Sequence, residues 1–148
     1  MPAASGLFAR YEPDAARRFR ERLRTDRIAW LTLTADSGMP QPGPVWFLWA
    51  EESGDVLIYS RSTARRLDWI TRSDQASLHL NDDGQGHDYL VLTGALRRLN
   101  TDYPAPDRHD AFLSKYRPLM ESVFGDPARY AAMFSVPLIF TPHRARGH

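Results

Sequence analysis

Residues 44–60 read PVWFLWAEESGDVLIYS, and this stretch decides the fold. Pro44 to Ala50 is apolar at every position, so a strand there has no wet face and sits inside a barrel or beneath a partner. Glu51 to Asp55 (EESGD) is a tight polar turn, and Val56 to Ser60 (VLIYS) resumes as a second strand. Immediately upstream, Ile28 to Thr34 (IAWLTLT) is β-branched and aromatic and ends in the turn DSGMP. Together the three segments predict an antiparallel meander.

Downstream, Ser62 to Arg72 predicts a short helix, and Ala76 to Leu80 a further strand. The polar loop NDDGQGHD leads to a long strand, Tyr89 to Leu99, in which Gly94 marks a bulge or a close backbone approach. Helices are expected over Asp107 to Tyr116, ended by Pro118, and over Pro127 to Phe134. A last strand, Val136 to Thr141, runs into a polar tail, PHRARGH. At the start of the chain, Ala15, Phe19 and Leu23 recur every four residues, predicting an amphipathic helix over Asp14 to Arg24 with Asp14 as its cap. Six short strands joined mostly by hairpins, with no βαβ series, argue against a parallel Rossmann sheet. The expected architecture is mainly β, a six-stranded antiparallel barrel with flanking helices, formed as one domain over residues 1–148 with residues 1–13 as a flexible segment.

Composition sets the outer limits. Apolar residues are 43% and charged residues 25%, as in soluble globular domains. The absence of cysteine excludes disulfides, thiolate metal sites and cysteine nucleophiles. No apolar run approaches the roughly 20 residues of a membrane span, and the N-terminus has no secretory h-region, so the cytoplasm is expected. Of 19 basic residues only Lys115 is lysine. The arginines from Arg17 to Arg27 interleave with Glu21 and Asp26, which reads as a solvated helix face and not as a nucleic-acid surface.

Chemistry concentrates in Tyr59 to Ile70, YSRSTARRLDWI. A strand ends in a hydroxyl-rich turn (Ser60, Ser62, Thr63) and a helix start follows, with Arg61, Arg65 and Arg66 around it. Free N–H groups, hydroxyls and an arginine fork form a cradle for phosphate. The same residues equally fit an ordinary Ser/Thr cap with exposed arginines. Arg65 and Arg66 are about 100° apart on a helix, so one of them faces a ligand there. Elsewhere, His79, His87, Asp82, Asp83 and Asp88 match neither an EF-hand nor a zinc motif, and no metal is expected. There is no G-x-S-x-G nucleophile elbow.

The order PVWFLW, tight turn, VLIYS, then S-x-x-R-R-L resembles the pyridoxamine 5'-phosphate oxidase-like FMN-binding split barrels, and most of all their F420-dependent branch. RIAWLTLTADSGMPQPGPVWF resembles the opening of that family, and VPLIFTPHRARGH the close of the F420 branch. The resemblance implies a split-barrel homodimer with the cofactor at the subunit interface. It places the cofactor ring along the backbone of Pro44, Val45, Trp46 and Phe47, and the phosphate at Tyr59, Ser60, Ser62, Arg65 and Arg66. It brings the tail, with Arg146, near a cofactor. The family often uses lysine for the phosphate, where this chain has arginine. The implied activity is an F420H2-dependent reductase passing hydride to a small organic substrate, with no side chain assigned as catalytic acid or base. An FMN-dependent oxidase or reductase is the alternative, and a flavin- or haem-binding carrier or sensor is the alternative of another class.

Overall fold

A computed structural model describes residues 4–148. The elements run α1 (Ala4–Leu7), α2 (Pro13–Thr25), β1 (Ala29–Thr34), β2 (Pro40–Val45), β3 (Leu48–Trp49), β4 (Val56–Ser60), α3 (Arg66–Trp69), β5 (Gln75–Leu80), β6 (Leu90–Arg98), α4 (Asp110–Phe124), α5 (Pro127–Met133) and β7 (Val136–Gly147). All strand pairs are antiparallel, in the order β2-β1-β5-β6-β7-β4-β3.

That order forces closure. β2 and β3 are the two edges of the sheet, yet only Trp46 and Phe47 separate them in sequence. Three peptide steps span at most about 11 Å, whereas the edges of a flat seven-stranded sheet stand about 29 Å apart. The sheet therefore curls into a barrel whose two edges meet at this link without pairing, which makes it a split barrel. The described residues form seven strands in place of the expected six because the apolar stretch 44–50 breaks at the link and its first part begins earlier, at Pro40.

Side chains alternate across the wall. Val45, Phe47, Trp49, Val56 and Ile58 join the interior cluster, with Phe19 and Leu23 of α2. Trp46, Leu48, Leu57 and Tyr59 face outward into a second cluster under Phe112, Tyr116 and Tyr130. The chain's own α4 and α5 thus cover the outer face of 44–60. The doubly apolar stretch is explained within one chain and does not by itself call for a partner.

Several boundaries differ from the sequence expectations. Leu7 and Phe8 are buried in the interior cluster, so the flexible segment expected over 1–13 is corrected there; residues 1–3 lie outside the described residues. Helix α2 opens on Glu12 with Pro13 in its first turn, and Asp14 pairs with Arg17 at 2.7 Å instead of capping. Helix α4 runs through Pro118, where the sequence predicted an end. Burial of Phe112, Tyr116 and Met120, spaced four apart, outweighs the roughly 3 kcal/mol that an interior proline costs. Gly125, with φ of 96°, then stops the helix. The expected helix 62–72 is reduced to the single turn α3. The polar tail is not loose: β7 continues to Gly147, paired with β6 as far as Leu90. The irregularity expected at Gly94 is present, as a register shift between Thr93 and Gly94.

Of the α2 arginines, Arg17, Arg18, Arg22 and Arg24 are engaged by carboxylates, and Arg20 lies over the Phe8 ring. Arg18 meets Asp88 at 3.0 Å, Arg22 meets Asp26 at 2.5 Å, and Arg24 meets Glu21 and Glu51 at 2.6 and 3.1 Å. Among the described residues no helix is long and apolar enough to cross a membrane, and no cluster of three potential metal ligands occurs.

Candidate functional site

A cavity of about 280 Å³ opens where β2 ends, between the end of β4 and helix α5. Its strand-side wall is Pro44, Val45 and Trp46, and its far side is Tyr59, Ser60 and Arg61. Ala64 and Arg66 come from the turn after β4, and Phe124, Tyr130 and Phe134 close it from α4 and α5. Six residues picked from sequence meet here: Pro44, Val45, Trp46, Tyr59, Ser60 and Arg66.

The β2 wall has a definite polarity that comes from its sequence, PQPGPV. Among the described residues β2 pairs only with β1, so its other edge is free. Pro40, Pro42 and Pro44 lie opposite Thr34, Thr32 and Trp30. Proline has no N–H to give the ladder, so Gln41, Gly43 and Val45 supply the bonds to β1 and the prolines turn their nitrogens to the free edge. That edge consequently offers carbonyls, and it resists the addition of another strand. The first donor past the prolines is the N–H of Trp46, and neither backbone group of Trp46 is hydrogen-bonded among the described residues. A ligand edge carrying both a donor and an acceptor matches this strand end.

Arg66 supplies the charge. It is half-buried and, among the described residues, its guanidinium has neither a carboxylate nor a hydrogen-bond partner. Burial holds its pKa below the usual arginine value. Its guanidinium lies beside Gly43 of β2, where a Cβ would meet Nη2 at 3.4 Å. A half-buried cation with no counter-ion is costly to the fold, and an anion in the cavity would offset that cost. The helix start expected to offer free N–H groups to a phosphate is not formed at Ser62, because α3 is one turn long and begins only at Arg66.

Aromatic rings make up the rest. Trp46 stacks on Tyr116 (centroids 4.8 Å apart, planes at 3°) and on Tyr130 (4.5 Å, 12°). Tyr130 stacks in turn on Phe134 (4.6 Å, 14°), over which Arg61 lies at 4.7 Å. Such walls suit a planar conjugated ligand. Tyr59 donates to the carbonyl of Pro104 at 2.7 Å, and burial raises its phenol pKa. Ser60, fully buried, donates to the carbonyl of Arg61 at 3.1 Å.

Four predicted residues lie elsewhere. Phe47 points into the barrel core with both its backbone groups already bonded. Ser62 is exposed outside the cavity. Arg65 is exposed and lines a neighbouring hollow of about 190 Å³ with Gln41, Pro42 and Trp69. Arg146 is exposed on the same cross-strand row as Pro44, through Trp30, His79 and Val91, but four strands away. Within one chain it does not reach the cavity. Sequence reasoning placed Arg61 at the turn without choosing it for the site, and it missed the cover of Phe124, Tyr130 and Phe134. The available signal was the aromatic spacing on two helices beside a strand pair whose outer face needed covering.

No family model matches this chain, and no curated protein matches it. Solved structures do. A protein of the pyridoxinephosphate oxidase family from Clostridium acetobutylicum, related to a general stress protein, aligns with a TM-score of 0.60 at 16% identity, over 87% of this chain and 84% of that one. An F420 reductase aligns with a TM-score of 0.61 at 20% identity, over 86% of this chain and 94% of that one. A FAD-binding protein from Mesorhizobium loti gives 0.62 at 16% identity, over 85% and 88%. The chain has the split-barrel fold of these structures.

Proposed function

We propose that this chain is an oxidoreductase that binds a phosphate-bearing flavin-type cofactor in the Trp46–Arg66 cavity, with F420 preferred to FMN, and acts as an F420H2-dependent reductase of a small organic substrate in the cytoplasm. The observation that carries the reading is Arg66, a half-buried guanidinium without a counter-ion among the described residues, set beside a free strand edge that offers proline carbonyls and, at its end, the Trp46 N–H. Arg66, with Arg61 at the rim, would hold the phosphate, and the Pro44–Trp46 backbone would receive the edge of the ring system. The bound cofactor supplies two-electron hydride chemistry. The chain's own residues orient it, exclude water with the Phe124–Tyr130–Phe134 cover, and place positive charge near the phosphate. No side chain in the cavity is assigned as acid or base. The resemblance of the sequence to the F420 branch favours F420 over FMN, while the similar solved structures include an F420 reductase and a FAD-binding protein alike.

We also propose a homodimer with the cofactor site completed at the interface. Arg146, too far from its own cavity, is the residue such an arrangement would use.

Titration of the purified protein with F420 and with FMN, followed by fluorescence, tests the reading. F420 is expected to bind more tightly, and reduced F420 to be turned over with an electrophilic acceptor. Binding without turnover would favour a carrier or sensor. If neither cofactor binds at high micromolar concentration, the proposal fails. Sedimentation at micromolar concentration should give a dimer, and a monomer would remove the interface.

A further inference from the structure

We propose that Tyr116 and Lys115 of α4 are positioning residues for the cavity, holding the Trp46–Phe47 link that closes the barrel and so setting where the Pro44–Trp46 edge stands. The seam between β2 and β3 has no ladder of its own, because both are edge strands. Phe47, in the middle of it, has no strand to pair with, yet it is fully buried and cannot turn to water. Its N–H donates to the Tyr116 hydroxyl at 2.7 Å. Its carbonyl lies 2.9 Å from the same hydroxyl and accepts from Lys115 Nζ, also at 2.9 Å. The hydroxyl further reaches the carbonyl of Arg27 at 2.7 Å, just before β1. A single phenol thereby ties the approach to β1, the seam and α4 to one another.

Lys115 adds a second hold, with its ammonium 3.9 Å over the Phe47 ring. The next residue, Trp46, stacks on the Tyr116 ring while keeping its backbone groups free on the cavity side. The two neighbours divide the work: the polar groups of Phe47 are spent on α4, and those of Trp46 are left for a ligand. Moving Phe47 moves Trp46 with it.

This inference rests on the reading of the cavity as a cofactor site, and the test separates the two. Tyr116→Phe removes the hydroxyl and keeps the stacked ring. Tyr11→Phe is the matched control, removing a phenol that bridges Gly147 N–H and the Ala145 carbonyl at 3.1 and 3.2 Å, on the far end of β7. Hydrogen exchange of the segment 44–49 needs no ligand, and FMN and F420 titrations report the cavity. Tyr116→Phe should speed exchange in 44–49 and weaken cofactor binding, each by about tenfold; Tyr11→Phe should leave exchange in 44–49 unchanged. Lys115→Met should shift both in the same direction, with Lys115→Arg restoring them, and this pair decides the matter should Tyr116→Phe not fold. Native exchange in 44–49 for Tyr116→Phe, or faster exchange with unchanged affinity, overturns the positioning role. If the unaltered protein binds neither cofactor, the cofactor reading fails while the exchange result still judges the clamp.

Discussion

Replacing Arg66 by methionine should strengthen the empty protein and weaken the complex. Methionine keeps most of the apolar stem and removes the charge. Because the guanidinium is half-buried with no partner among the described residues, its removal relieves a desolvation cost on the order of 1 kcal/mol. The same change deletes a charge-assisted contact to phosphate of about 1.5–3 kcal/mol, or roughly a 10- to 150-fold loss of affinity. Urea unfolding without cofactor gives the first quantity, and fluorescence titration with F420 or FMN gives the second. Arg65→Met is the internal control, since Arg65 is exposed and lies outside the cavity; its affinity should stay within about threefold of the unaltered protein. An Arg66→Met protein that is less stable by more than about 1 kcal/mol yet binds cofactor normally would refute the reasoning, for Arg66 would then be a structural residue.

Gly94→Ala should destabilise by about 3 kcal/mol or more, because a Cβ there would stand 2.0 Å from the Thr141 carbonyl across the β6–β7 ladder; an unchanged urea midpoint would contradict the register described. Burial pushes the Lys115 ammonium down to about 8 from an ordinary value of 10.5. Between those values the unfolded chain holds the proton and the folded chain has released it, so stability rises with pH by up to about 2–3 kcal/mol. Denaturation at a series of pH values from 8 to 10 should show this rise, and Lys115→Met should abolish it. Above that window the buried phenols of Tyr59 and Tyr116, whose pKa values burial raises, oppose further stabilisation. Phe47→Ala should cost about 3–5 kcal/mol, as expected for a fully buried ring at the seam, measured by the same unfolding assay.

How far the site could be read from sequence depends on which interactions are local. Strand ends and turns are written in nearby residues, so the PVWFLW and VLIYS strands were legible, and the family resemblance of that pair brought Pro44, Val45, Trp46, Tyr59 and Ser60 together. Local chemistry left three arginines at the turn as candidates for an anion, and the resemblance narrowed them to Arg65 and Arg66. Choosing between them depended on whether the turn becomes a long helix, and α3 is one turn only. The six-strand count erred at Trp46–Phe47 because a strand break inside an apolar run leaves no polar mark. The continuation of α4 past Pro118 was hidden for the opposite reason: a strong local signal was overruled by burial against the barrel.

By itself, the sequence determined a mainly β, antiparallel chain with a bulge at Gly94, an aromatic strand pair and an arginine turn, since each follows from periodicity, turn chemistry or the steric limits of glycine and proline. Tertiary structure alone decided that the two edges of the sheet meet at Trp46–Phe47, and that α4 and α5 cover the outer face of that pair in place of a second subunit. It also left Arg66, and not Arg65, facing the cavity. These outcomes depend on contacts between segments about 70 residues apart, such as Tyr116 on Phe47. No local propensity carries that information; it arises when the sheet closes and every buried polar group must find a partner.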